Sequence, residues 1–139
     1  MLIYWIWLTL RKGMGDRLRL QLLQHFGTPE AVYAADPKAF EQVEGMTAAA
    51  GKSLRERDLA PSEKILQQCA EKQIRILTFH DAAYPNRLKN ISDPPLVLYY
   101  KGRLPDFDEF PVIGVVGTRS ASDYGLHIAG KMGYELSRC

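Results

Sequence analysis

Apolar residues in the first half of the chain recur at helical spacing, and glycines and prolines divide them into short segments. Residues 2–10 are almost wholly apolar and predict a first helix that is buried on most of its sides. A second helix is predicted to begin with Asp16 as its cap and to end at Gly27, since glycine commonly follows a helix C-terminus. Further capping residues are predicted at Thr28, Asp36, Thr47 and Ser62. The pattern therefore predicts an all-helical domain over residues 1–72.

From residue 73 onward, short runs of β-branched and aromatic residues replace the helical spacing. Strands are predicted over residues 74–79, 96–101 and 112–116, and helical segments over residues 86–91 and 122–137. In the third predicted strand, four β-branched residues follow a proline, which is the pattern of a strand covered on both faces. We therefore expect an α/β fold, in which the helical domain precedes the opening of a second domain over residues 73–139.

The turn between the third predicted strand and the last helix is the sharpest candidate for chemistry. Gly114 and Gly117 let the backbone turn and approach a ligand closely. Either Ser122 or Asp123 can cap the helix, whose free N–H groups favour a phosphate, and Arg119 adds a planar cation. An ordinary strand-to-helix turn with a surface arginine remains the alternative. The dinucleotide fingerprint is excluded, because it needs glycines where Arg119 and Ser122 stand.

Two Gly–Met junctions connect predicted helices in the first part of the chain, at Gly13–Met14 and Gly45–Met46. They resemble the helix–hairpin–helix elements that bind DNA, in which N–H groups of the hairpin face a phosphate. Cations near the first junction are Arg11, Lys12, Arg17 and Arg19. The hypothesis is a secondary DNA contact through Arg11, Lys12 and Arg17. A pure packing or protein-contact role, with the cations on a solvated face, stays open beside it.

Composition narrows these interpretations. A net charge of +2 is too small to indicate nucleic-acid binding by itself, so any basic patch must be local. Two cysteines form neither a disulfide framework nor a metal-ligand cluster, and their scarcity is typical of a reducing cytosol. The apolar first segment is too short to span a bilayer, which takes about 20 residues. An interfacial membrane helix, for which Trp5 and Trp7 are suited, is the minor alternative.

Two motif blocks together resemble the DNA-processing protein A family, also called DprA or Smf. The first block reads Tyr84-Pro85-x-x-Leu88-x-x-Ile91-x-Asp93-Pro94-Pro95-x-Val97-Leu98-Tyr99-x-Lys101-Gly102. The second reads Val115-Val116-Gly117-Thr118-Arg119-x-x-Ser122-x-Tyr124-Gly125. The turns at Phe26-Gly27 and at residues 43–46 match the small N-terminal domain of that family.

The resemblance implies a cytoplasmic bacterial protein that binds single-stranded DNA, protects it during natural transformation and recombination, and loads RecA recombinase onto it. It implies a helical domain like the sterile alpha motif, followed by an extended Rossmann-like domain through which members form homodimers. Members are not known as enzymes, and they use no metal or cofactor in this role. The implied DNA-binding residues are Gly117, Thr118, Arg119, Ser122, Tyr124 and Gly125. For Tyr124, packing beneath the turn is favoured over stacking on a base.

The family's next block, a strand leading into a Ser-Gly-x-Ala-x-Gly-Ile-Asp stretch, does not occur in this sequence. We therefore expect a fragment of a longer protein, with a well-packed helical domain and an incomplete Rossmann-like sheet whose edges are open. The DNA pocket and the dimer surface would then be incomplete. Two alternative functions remain: a phosphoribohydrolase-type enzyme, although its Pro-Gly-Gly-type stretch is absent, and a helical protein-interaction module.

Overall fold

The computed structural model describes residues 1–109 and 111–138 of the chain. The helices are α1 (Leu2–Leu10), α2 (Asp16–Phe26), α3 (Pro29–Ala34), a 3₁₀ helix (Pro37–Gln42), α4 (Ala48–Leu54), α5 (Ala60–Glu71), α6 (Asn86–Lys89) and α7 (Asp123–Leu136). The strands are β1 (Arg75–Thr78) and β2 (Val97–Tyr100). The chain divides into two compact units, Met1–Asp108 and Glu109–Cys139.

Helix α1 is the centre of the first unit. Trp5, Ile6, Trp7 and Leu8 are four consecutive buried residues, so the helix is apolar around its whole circumference. It packs against α2, α3, α5 and β2. The prediction of a buried first helix is confirmed, and its bounds agree with the predicted ones.

Local capping signals correctly located three helix starts. The side-chain oxygens of Thr28, Asp36 and Thr47 accept backbone N–H groups at 3.1, 2.8 and 3.1 Å, respectively. Two other predicted caps are wrong. Asp16 is the first residue of α2, and Gly15 is its cap. Ser62 lies inside α5, because the carboxylate of Asp58 accepts the N–H of Ala60 at 2.9 Å and the helix begins there.

Trp7 joins α1 to the segment that follows α4. Its indole Nε1 donates to the carbonyl of Glu56 at 2.9 Å. The guanidinium carbons of Arg11 and Arg57 lie 5.2 and 5.7 Å from its ring centroid, within the range of a cation–π contact. Arg57 also donates to the carbonyls of Val32 and Ala35 at the C-terminal end of α3. Cations are therefore part of the packing of this unit.

The two strands pair antiparallel, from Arg75 opposite Tyr100 to Thr78 opposite Val97. Strand β1 packs on α5 and β2 on α1, and Val97 belongs to the same hydrophobic core as the helices. The hydroxyl of Tyr84 donates to the carbonyl of Pro95 at 2.7 Å. The coarse α/β class is confirmed as helices with a small antiparallel sheet, whereas the domain boundary after residue 72 stays a prediction.

The predicted third strand is wrong in this structure. Residues 112–116 form no strand, and the side chains of Val112, Ile113 and Val115 are each more than half exposed. A β-branched run becomes a strand only when a neighbouring strand accepts and donates its backbone hydrogen bonds. Within residues 1–109 and 111–138, no strand pairs with this run. The helix predicted after it is confirmed as α7.

Candidate nucleic-acid interface

Ser122 positions the start of α7. Its Oγ accepts the N–H of Gly125 at 3.2 Å, and its carbonyl accepts the N–H of Leu126 at 2.9 Å. Ser122 is therefore the cap, and Asp123 is the first residue of the helix. Because the Ser122 oxygen accepts this bond, its hydroxyl hydrogen is still available to donate.

The backbone before the helix is open to solvent. Neither Gly114 nor Gly117 has a positive φ, so the sharp glycine turn predicted here is not what the structure contains. A Cβ added at Gly117 would meet no atom within 4 Å. At Gly125 a Cβ would lie 3.5 Å from the Ser122 Oγ, which is an ordinary contact. What Gly117 provides is therefore room for a ligand to approach the backbone.

Arg119 is the exposed cation of this turn. Within the described part of the chain, no hydrogen bond or ion pair engages its guanidinium. The neighbouring Thr118 donates its hydroxyl to the carbonyl of Ser120 at 3.0 Å, so that hydroxyl can only accept a further bond. Arg119, the Ser122 hydroxyl and the N–H groups of Asp123 and Tyr124 are thus the donors that an anion would meet here.

Tyr124 does not pack beneath the turn, so the favoured interpretation of this residue is wrong. Its side chain is 75% exposed, on the first turn of α7. A tyrosine ring in that position is available to stack on a planar ligand such as a nucleobase.

Arg11 is not available to DNA, contrary to the predicted secondary contact. Only 6% of the residue is exposed, and its guanidinium donates to the carbonyls of Trp7, Ser53 and Glu56 and to the Glu56 carboxylate. Burial lowers the pKa of the guanidinium from its ordinary value, and the carboxylates of Glu56 and Asp58 oppose that shift. Its role is structural.

Arg19 also has a structural role, because it donates to the carbonyls of Leu8, Thr9 and Arg11 at the end of α1 and pairs with Asp16. Lys12 and Arg17, by contrast, are exposed at the surface.

The two Gly–Met junctions lie side by side. Gly13 and Gly45 have φ values of 76° and 79° and together line a groove of about 380 Å³ with Arg17. A Cβ on Gly13 would lie 3.1 Å from the Cβ of Ala49, so glycine is required there for close packing on α4. The first junction therefore packs closely on α4, while the choice between a pure packing role and a DNA contact at this groove stays open.

Asp108 is a positioning residue that the sequence reasoning missed. Its carboxylate accepts the N–H groups of Asn86 and Arg87 at 2.9 and 3.2 Å and so fixes the start of α6 within the Tyr84-to-Gly102 motif. The bond from Asn86, followed by the bond and the charge of Arg87, holds the pKa of this carboxyl below its usual value. The only signal in the sequence is that Asp108 lies in a short acidic run, which does not identify its partner.

Residues 1–109 and 111–138 contain neither a metal site nor a membrane-spanning helix. No group of His, Cys, Asp and Glu side chains there could hold a metal ion. None of the helices in that part of the chain is long and apolar enough to cross a membrane. Cys69 is buried and unpaired, and Cys139 lies outside the described residues.

Comparison with known proteins gives a family match that includes this turn. Residues 75–139 match the family model described as DNA recombination-mediator protein A. The chain is 34% identical over 137 residues to protein Smf of Synechocystis sp., which is 96% of this chain and 34% of that protein.

It is also similar to DNA processing protein DprA from two other bacteria. The identity is 33% over 75 residues in Bacillus subtilis and 47% over 52 residues in Streptococcus pneumoniae, covering 54% and 37% of this chain. The matches cover 25% and 18% of those proteins, so the chain spans about a third or less of its curated relatives. No solved structure matches the chain.

Proposed function

The chain belongs to the DNA recombination-mediator protein A family, and on that premise we propose that it binds single-stranded DNA at the turn formed by residues 117–125. The observation that carries this proposal is the exposed Arg119, unpaired within the described residues, next to the N-terminal end of a 14-residue helix. Both features favour an anion, and both lie in the part of the chain that matches the family.

A backbone phosphate is the ligand that these donors suit best. The planar fork of Arg119 can donate two bonds to a phosphate, and the hydroxyl of Ser122 can add a third. The first N–H groups of α7 have no acceptor within their helix and carry the positive end of its dipole. Asp123 on the first turn works against binding, since its carboxylate repels a phosphate. Arg119 therefore has to supply most of the attraction.

For the whole protein, the family resemblance supports a role in DNA uptake and recombination that depends on binding, not on catalysis. In this proposal the protein works in the cytoplasm, protects single-stranded DNA, loads RecA recombinase and forms a homodimer. It needs no cofactor. Residues 1–72 would be a domain like the sterile alpha motif or the helix–hairpin–helix, and residues 73–139 the beginning of a Rossmann-like domain. Lys12 and Arg17 would add a secondary DNA contact beside the paired glycine junctions.

Fluorescence anisotropy with a labelled single-stranded oligonucleotide, measured at several salt concentrations, tests the proposal. We expect Arg119→Ala to weaken binding by about tenfold or more, because a hydrogen bond to a charged group contributes roughly 1.5–3 kcal/mol. The slope of log affinity against log salt should fall by about 0.7, the value for one phosphate contact with a single strand.

The exposed Arg103 provides a matched control. Arg103→Ala removes the same charge outside the turn and should leave affinity and salt slope close to those of the wild type. If Arg119→Ala behaves like Arg103→Ala, the phosphate-binding role of the turn is wrong.

A further inference from the structure

Helix α7 and the turn that follows it carry aromatic and basic side chains along one side. Tyr124, His127, Lys131, Tyr134 and Arg138 follow one another at spacings of three, four, three and four residues. At 3.6 residues per turn, they fall within about 80° of the helix circumference. All five are exposed, Tyr124 by 75% and Tyr134 by 60%. We call this set the α7 stripe.

The α7 stripe is separate from the side on which the helix would pack. The apolar residues Ile128, Ala129, Met132 and Leu136 share a second side, whose centre lies about 135° away at the same helical pitch. Ile128 and Ala129 are half-buried, and a shallow pocket of about 270 Å³ is lined by Ile128, Met132 and Leu136 together with Lys131 and Glu135. Burial of an apolar core therefore does not explain the aromatic residues of the stripe.

Tyr134 is held in place by its neighbour on the stripe. The guanidinium of Arg138 donates to the Tyr134 hydroxyl at 3.2 Å and lies 5.3 Å from the centroid of the ring. A ring fixed by such a contact loses little further freedom when a planar ligand stacks on it. Tyr124, at the other end of the stripe, lies beside the turn that carries Arg119.

We propose that the α7 stripe is a binding track for single-stranded nucleic acid that continues from the phosphate at Arg119. Tyr124 and Tyr134 stack on bases, and Lys131 and His127 face the intervening backbone. Tyr124 and Tyr134 are ten residue steps apart, about 15 Å along the helix, which is roughly the length of four nucleotides at a rise of about 3.4 Å.

The charge and the aromatic side chains of the α7 stripe favour single-stranded nucleic acid as its ligand. Lys131 and Arg138 place two cations on the stripe, and a ring lies at each end, which is the combination that single-strand binding surfaces use. The acidic residues of α7 are Asp123 and Glu135, and helical spacing places each of them about 20° beyond one edge of the stripe. The inference rests on the proposed function, since it takes the strand bound at the turn as its starting point.

Two oligonucleotides of equal length test the track in the full chain. Both are about eight nucleotides long, within the range of single-strand site sizes, and one of them carries abasic sites in its central half. The wild type should bind the strand that carries all of its bases at least about fivefold more tightly than the strand with abasic sites. That difference is expected when one base stacks on one tyrosine ring. Replacing both tyrosines, Tyr124→Leu and Tyr134→Leu, should abolish that preference while the abasic strand binds as before.

Replacing the same tyrosines by phenylalanine keeps both rings and should keep the preference, which separates stacking from a loss of fold. Lys131→Gln should reduce the salt slope, whereas Lys64→Gln, an exposed lysine on α5, should not. Circular dichroism of each variant checks that its helices are intact.

The outcomes separate the two proposals. If the wild type binds the two strands equally, or if the preference survives the double leucine substitution, the α7 stripe is not a binding track. Neither result affects the proposal that Arg119 binds a phosphate. If Arg119→Ala weakens both strands equally and the preference remains, both proposals stand. A chain that binds neither strand contradicts both.

Discussion

Arg11 and Arg57 on the one hand and Arg119 on the other show two opposite roles of arginine in this chain. In the unit Met1–Asp108, Arg11 and Arg57 lie against Trp7, and each donates to backbone carbonyls. In the unit Glu109–Cys139, Arg119 is exposed and has no partner among the described residues. A desolvated cation stabilises a fold only through partners that replace its water, whereas a solvated one keeps its donors for a ligand. Substitution of a desolvated arginine should therefore lower the stability of the fold, and substitution of the solvated Arg119 should lower the affinity for a ligand.

The largest effect is expected from Arg11→Ala. The substitution removes bonds to the carbonyls of Trp7, Ser53 and Glu56 and leaves these acceptors without their charged donor. We expect the free energy of unfolding to fall by about 3 kcal/mol, the scale for breaking a buried charged network. Urea unfolding, followed by the fluorescence of Trp5 and Trp7, measures this change.

Arg103→Ala is the control for the loss of a positive charge and should change stability by no more than about 0.5 kcal/mol. An Arg11→Ala midpoint equal to that of the control would show that Arg11 is not part of the packing. The distinction between the two kinds of arginine would then fail.

Glycine offers a second test of the same contrast. Gly13 has a φ of 76°, and an added Cβ would lie 3.1 Å from that of Ala49, so Gly13→Ala should lower stability by about 2 kcal/mol. At Gly117 an added Cβ meets only open space, so Gly117→Ala should leave stability within about 0.5 kcal/mol. It should instead weaken single-strand binding, because a methyl group would lie where the ligand approaches.

Unfolding and anisotropy measurements on the same two variants decide the outcome. If Gly13→Ala also weakens DNA binding at unchanged stability, the paired glycine junctions act in recognition and not in packing. If Gly117→Ala changes neither property, the backbone there does not approach the ligand.

Local signals explain which features could be predicted from the sequence. The caps at Thr28, Thr47 and Ser122 depend on bonds to residues three positions away, and all three are in place. The bounds of α1 follow from an almost wholly apolar run between Met1 and Arg11.

Features that depend on distant partners could not be predicted in this way. The β-branched run at residues 112–116 lacks a strand to pair with, and no local pattern reports that. Arg11 and Lys12 are adjacent and of like charge, yet one is buried and the other exposed. What separates them is the packing of α1 against Ser53 and Glu56, more than forty positions along the chain.

The smallest change in stability is expected from substitution of Asp108. Its carboxylate accepts backbone N–H groups that would otherwise be open to an external anion. Because the pKa of Asp108 is lowered in the folded chain, its contribution to stability is present above the pKa of the unfolded chain, about 3.9. That contribution is lost as the pH falls through the lowered value. Asp108→Asn should therefore be less stable than the wild type at pH near 6, and the difference should shrink toward pH near 3. Thermal unfolding of both proteins across that range measures the effect, and a difference that stays constant with pH would show that the carboxylate does not act as a charged acceptor for Asn86 and Arg87.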